Sequence, residues 1–171
     1  DDGRRVHGRD AGVCGLMPNL RIKRPADRHI VPAPESAGWT YVGFESSRSP
    51  KGTTLGGNTG DRELCLVLVA GRARVSAGGM DFGELGQRMS PFDGPPAAVY
   101  VPAHTEWSVT STTELDLAQC TAPGGGDLPA RVIKVPKTIV RGKGSNTRYV
   151  TNILPETEPA HSLLVVEVIT P

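Results

Sequence analysis

The chain breaks into apolar runs too short to be helices, and Gly, Pro, Asn or Asp stands between almost all of them. From Trp39 onward the runs fall at 41–47, 63–70, 72–77, 98–101, 106–111, 114–121, 131–135, 148–153 and 163–170. Runs of this length, alternating or continuously apolar and bounded by turn residues, are read as β-strands. The breaks carry the matching chemistry: Ala70-Gly71, Ala77-Gly78-Gly79, Asp93-Gly94-Pro95-Pro96 and Ala122-Pro123-Gly124-Gly125-Gly126. Gly supplies positive φ in such turns, and Pro removes a ladder donor. The implied class is all-β, a sandwich or barrel, with no tandem repeat of the kind that builds solenoids or propellers.

With 171 residues the chain has material for one full core and part of a second. Its 37% hydrophobic and 22% charged residues match an ordinary globular protein. No apolar run reaches the roughly 18–20 residues of a membrane helix, and the run at 163–170 is interrupted by Glu167. The start, DDGRRVHGRD, is not a secretory leader, so the expectation is a cytoplasmic protein without membrane contact. Residues 1–18 read as a disordered extension, followed by an extended entry through Pro25, Pro32 and Pro34. Cys14, Cys65 and Cys120 form no C-x-x-C pair and are expected as reduced thiols, two of them in the core.

The net charge of +1 gives no reason to expect nucleic acid as a partner. Its distribution is uneven: Arg131, Lys134, Lys137, Arg141, Lys143 and Arg148 lie between Leu128 and Pro155 with no Asp or Glu among them. Within this strip, Arg141-Gly-Lys-Gly-Ser-Asn-Thr-Arg148 mixes cationic side chains with glycines that let the backbone approach a ligand. Arg binds a carboxylate through two parallel hydrogen bonds, so Arg141, Lys143, Asn146 and Arg148 are the candidate substrate-binding residues. A solvated basic loop is the competing reading. Asp61/Glu63 and Asp81/Glu84 read as solubilising charges on strand edges and turns rather than an acid–base pair. No dinucleotide, Walker or nucleophile-elbow pattern occurs, and the catalytic residues are left unassigned.

Three stretches together carry a family signal: GDRELCLVLVAGRARV from Gly60, DFGELGQRMSPFDGPPAAVYVPA from Asp81, and RGKGSNTRYVTNILPETEPAHSLLVVEVITP from Arg141. The segments 59–75 and 98–109 have the form of cupin half-motifs, and the three stretches closely resemble the 5-deoxy-glucuronate isomerase family of two-cupin proteins from about Gly38 to Pro171. The chain is similar, more distantly, to the uronate ketol-isomerase of pectin breakdown. The resemblance implies a cupin jelly-roll barrel, the N-terminal half of a bicupin: the barrel over 19–126, and over 127–171 the connecting strands that lead into a second, truncated cupin. It also implies a sugar-acid isomerase that interconverts 5-deoxy-D-glucuronate and 5-dehydro-2-deoxy-D-gluconate in myo-inositol catabolism.

Cupin metal sites take His and carboxylate ligands, which suit borderline divalent cations. Here no His-x-His precedes Glu63, and Trp107 stands where the later His of the motif is expected. His104 sits in the Pro102 turn, where a turn or surface role is favoured over a ligand role, and His7, His29 and His161 are scattered. This chain is therefore expected to bind no metal. A divalent cation, zinc by the resemblance, is expected in a second cupin beyond Pro171, leaving these 171 residues inactive alone. The expected partners are a small sugar acid and further copies of the chain. The alternative is a free-standing, metal-free cupin that binds a small acid or mediates oligomer assembly.

Overall fold

The computed structural model describes residues 38–170, and among them it holds antiparallel strands, one short 3-10 turn and no α-helix. The expected extension over 1–18, the Pro-flanked entry, Cys14, His7 and His29 lie outside the described residues. No helix among the described residues is long and apolar enough to cross a membrane.

Among the described residues, twelve strands form three sheets. The first sheet has the order β1-β8-β3-β6-β9, from β1 (Gly43–Ser49), β8 (Leu115–Pro123), β3 (Arg62–Ala70), β6 (Ala97–Val101) and β9 (Arg131–Val132). The second has the order β2-β7-β4-β5, from β2 (Thr54–Asn58), β7 (Glu106–Ser111), β4 (Ala73–Ala77) and β5 (Met80–Leu85). These two sheets face each other as the barrel. The third, β10-β11-β12, is built from β10 (Ile139–Arg141), β11 (Arg148–Leu154) and β12 (Val165–Ile169). All pairings are antiparallel. The jelly-roll expectation is met.

Side chains alternate across a strand, and this splits β3 into two sets. Leu64, Leu66 and Leu68 point into the barrel with Val75, Val99, Val101, Val109, Leu115 and Leu117. Cys65 and Val67 point the other way and meet Ala98, Tyr100 and Ala118 on one side and Ile133, Ile153, Leu154, Leu163 and Val165 on the other. The chain after the glycines thus returns to cover the outer face of the first sheet. Coverage on both faces explains why β3 reads as an unbroken apolar run rather than an alternating one. Each such buried Leu or Val contributes about 1.5–3 kcal/mol of transfer free energy.

Two glycines make the close turns possible. Gly71 ends β3 at φ 98°, and a Cβ there would lie 2.1 Å from the Glu114 carbonyl oxygen. Gly86, at φ 97°, would place a Cβ 2.2 Å from the Gly71 oxygen. The β3–β4 turn and the segment leaving β5 therefore pack backbone on backbone, which only Gly permits.

Candidate functional site

The barrel interior is aliphatic to its axis: Leu64, Leu66, Leu68, Val75, Val99, Val101 and Val109 occupy it, with Trp107 partly buried against them. These side chains offer no donor to a divalent cation, and no group of three or more His, Cys, Asp or Glu among the described residues is placed to hold one. The interior does not fit the metal that cupins carry.

Polar groups collect instead at one end of the barrel, where four segments meet. Thr59 Oγ1 donates to the Pro102 carbonyl at 2.8 Å and accepts the Thr105 N–H at 2.9 Å. The His104 N–H donates to the Gly60 oxygen at 2.7 Å and the Ala103 N–H to the Gly125 oxygen at 3.1 Å. His104 adopts φ 57° in this turn, and its exposed Nε2 lies 3.5 Å from Asp61 Oδ1. The turn reading of His104 agrees with this geometry.

Glu63 lies beneath this rim, and here one sequence expectation is corrected: it is not a solubilising edge charge but is fully buried. The reason is register. Glu63 is on the same face of β3 as Cys65 and Val67, the face that the returning chain covers. Its Oε2 accepts the Tyr100 hydroxyl at 2.8 Å and the His161 N–H at 2.9 Å. Its Oε1 accepts the N–H groups of Ser162 and Leu163, each at 2.6 Å, with the Ser162 hydroxyl at 3.4 Å. Burial pushes the carboxyl pKa up, but the N–H groups of Ser162 and His161, the Tyr100 hydroxyl and the Leu163 N–H outweigh it and hold Glu63 below the usual carboxylate range. A carboxylate has about four lone-pair positions, so Glu63 is saturated and unable to act as a base. It is an anchor for the segment 161–163.

The surroundings support this anchor. The Arg131 guanidinium stacks over the Tyr100 ring, 4.5 Å from its centroid, and donates to the Pro159 carbonyl. Its Nη1 is buried with no hydrogen-bond partner among the described residues. His161 Nε2 lies 2.5 Å from Asp127 Oδ1, and this exposed bond raises the His161 pKa and lowers that of Asp127. Gly124 and Gly125 fit against this cluster, since a Cβ would meet Glu63 at 2.8 Å or His161 at 2.5 Å. The triple glycine thus serves close packing at the rim as well as the exit from β8.

A second buried charge lies elsewhere. Arg88 is fully buried, donating to the carbonyls of Val69, Pro91 and Gly94 and, through both terminal nitrogens, to Glu167 at 3.0 and 2.5 Å. It ties β12 to the loop after β5. Sequence reading singled out neither Arg88 nor Tyr100. For Tyr100 the available signal was a hydroxyl inside the core run AAVYV, whereas Arg88 stands between the exposed Gln87 and Met89 and carries no such signal.

The four candidate ligand-binding residues fall together at the β10–β11 hairpin. Arg141 and Arg148 are paired across the strands, and Lys143 and Asn146 flank or belong to the 3-10 turn Gly144–Asn146. Arg141, Lys143 and Asn146 are exposed, while Arg148 is half-buried and donates to the Thr147 carbonyl at 2.8 Å. None of the three cations pairs with an Asp or Glu among the described residues. The hairpin is separate from the Glu63 rim, and its Tyr149 lines a cavity of about 410 Å³ together with Pro91, Phe92, Thr138 and Ile169.

Comparison with known proteins fits this architecture. The chain is 49% identical over 142 residues to 5-deoxy-glucuronate isomerase of Geobacillus kaustophilus, covering 81% of this chain and 51% of that protein. It is 38% identical to the protein of the same name from Halalkalibacterium halodurans, with 80% and 52% covered. The chain therefore spans about half the length of the curated relatives it matches. The crystal structure of an IolB-like protein from Salmonella typhimurium LT2 superposes with a TM-score of 0.76 at 51% identity, over 82% of this chain and 54% of that one. Residues 19–171 match one family throughout, and the chain belongs to it: the KduI/IolB family.

Proposed function

We propose that this chain is the scaffold half of a sugar-acid isomerase that interconverts 5-deoxy-D-glucuronate and 5-dehydro-2-deoxy-D-gluconate in inositol catabolism. The observation that carries the reading is the 49% identity to proteins named for that activity. The aliphatic barrel interior supports the scaffold role, since it offers neither acid–base groups nor metal ligands. The catalytic centre, with its divalent cation, then belongs to residues outside this chain, in keeping with relatives about twice as long. The exposed cations Arg141 and Lys143 and the half-buried Arg148, with Asn146, are the part of this half suited to meet a sugar carboxylate.

The test is an aldose–ketose assay on 5-deoxy-D-glucuronate with a divalent cation present. It is run on the 171-residue chain and on the complete gene product that contains this sequence. The expected result is activity in the complete product only, with Arg148→Ala there raising KM about tenfold. Turnover by the 171 residues alone would sink the scaffold role, and no turnover by either would sink the isomerase. An unchanged KM would remove the hairpin from the site. The same filled barrel also favours a second reading, a metal-free module that binds a small acid or joins subunits, and a complete product inactive on the sugar acid would leave that reading standing.

A further inference from the structure

Cys65 and Cys120 are far apart in sequence but stand directly opposite one another on β3 and β8. Opposed residues on antiparallel strands hold their Cβ atoms about 4.5–5.5 Å apart. A disulfide needs about 3.5–4.5 Å, so closure asks for a movement of about 1 Å. Both thiols are free, and both point to the face of the first sheet that the returning chain covers.

Their accessibility differs. Cys65 is fully buried. Cys120 is half-buried and lines a groove of about 470 Å³ with Tyr41, Phe44, Leu163 and Leu164 among its walls. The groove presents mostly apolar surface, which admits a small neutral molecule more readily than a charged thiol reagent. One sulfur is therefore reachable from outside, and the other is reachable only through the first.

We propose that Cys65 and Cys120 form a latent dithiol that hydrogen peroxide entering the groove converts to a cross-strand disulfide. Cys120 reacts first, as its thiolate: sulfur bonds to one peroxide oxygen, the O–O bond breaks, and the departing hydroxide leaves as water with the proton the thiol has lost. The Cys65 sulfur then attacks Cys120 Sγ, the S–S bond forms, the S–O bond breaks, and a second water leaves with the Cys65 proton. Two thiols are oxidised and one peroxide is reduced to two waters. Burial pushes the Cys120 thiol up to about 11 and Cys65 higher still, so the thiolate is scarce and the reaction is slow. The same burial shelters the finished disulfide from reductants. Cys65 also stands opposite Tyr100, so the bond forms beside the hydroxyl that holds Glu63.

The test treats the folded protein overnight with hydrogen peroxide, blocks remaining thiols under denaturing conditions, and maps tryptic peptides by mass spectrometry. The expected product is a Cys65–Cys120 cross-linked peptide pair that dithiothreitol releases. In Cys65→Ser, Cys120 has no resolving partner, and its labelling by dimedone, which traps sulfenic acid, should rise about tenfold over the unsubstituted protein. Three results would each overturn the proposal: both thiols still blocked after exposure, oxygen accumulating on Cys120 while Cys65 stays free, or disulfides between chains in place of the internal one.

Discussion

Glu63 carries as many hydrogen bonds as any side chain among the described residues, matched by Arg88, and its chemistry follows from charge. Glu63→Gln keeps the shape but turns an NH₂ toward donors that need an acceptor, so we expect a loss of about 2–3 kcal/mol at neutral pH, read from urea unfolding. The pH dependence has a definite sign. The folded carboxyl lies below its unfolded range near pH 4.3, so its contribution is complete above that range and is lost as pH falls through the folded value. The stability gap between the wild type and the Gln variant should therefore narrow in acid, and a gap that stays constant would contradict the anchor. The sequence contained this residue in plain view, at the head of the run LCLVLV. Its role was not legible because it depends on what covers the outer face of β3, and the covering residues lie about a hundred positions away at His161, Ser162 and Leu163.

At the scale of elements, the central strands were legible and several edges were not. β3, β6, β7 and β8 announce themselves through Leu, Val and Tyr, because burial on one or both faces selects those residues. The strands missed from sequence, β2, β5 and β10, all lie at sheet edges. Edge strands can be short and polar or Gly-rich, as TLGGN in β2 shows, so propensity reads them as turns. β12 is also an edge, and it is held by Arg88 rather than by a second strand neighbour. Arg88→Met should cost about 3 kcal/mol, since it leaves the Glu167 carboxylate and three carbonyls without their donor. Hydrogen exchange gives the sharper readout: β12 amides should exchange faster than in the wild type, while those of β3 change little. Equal acceleration in both strands would mean that Arg88 supports the whole barrel.

For the molecule as a whole, the two clusters of core residues share the first sheet, so the barrel and the third sheet are coupled through β3, β6 and β8. Leu154→Ala removes a fully buried side chain from the third sheet and should cost about 2–4 kcal/mol. Tryptophan fluorescence, to which Trp107 in the second sheet contributes, should report that loss in one cooperative transition. An earlier, separate transition for the third sheet would show the two parts to be independent. The all-β class, sandwich or barrel, was readable from turn spacing and the cupin barrel from the family resemblance, whereas the three-layer arrangement was not, because nothing local in 127–170 says which face it will cover. The filled barrel also limits how this protein can change. Converting the interior into a ligand pocket would require several Leu and Val positions to become polar together, and each step taken alone would bury an unpaired group or open a void. New chemistry on this scaffold is thus confined to loops and outer faces, while the barrel remains a fixed spacer whose interior sequence can drift only among aliphatics of similar volume.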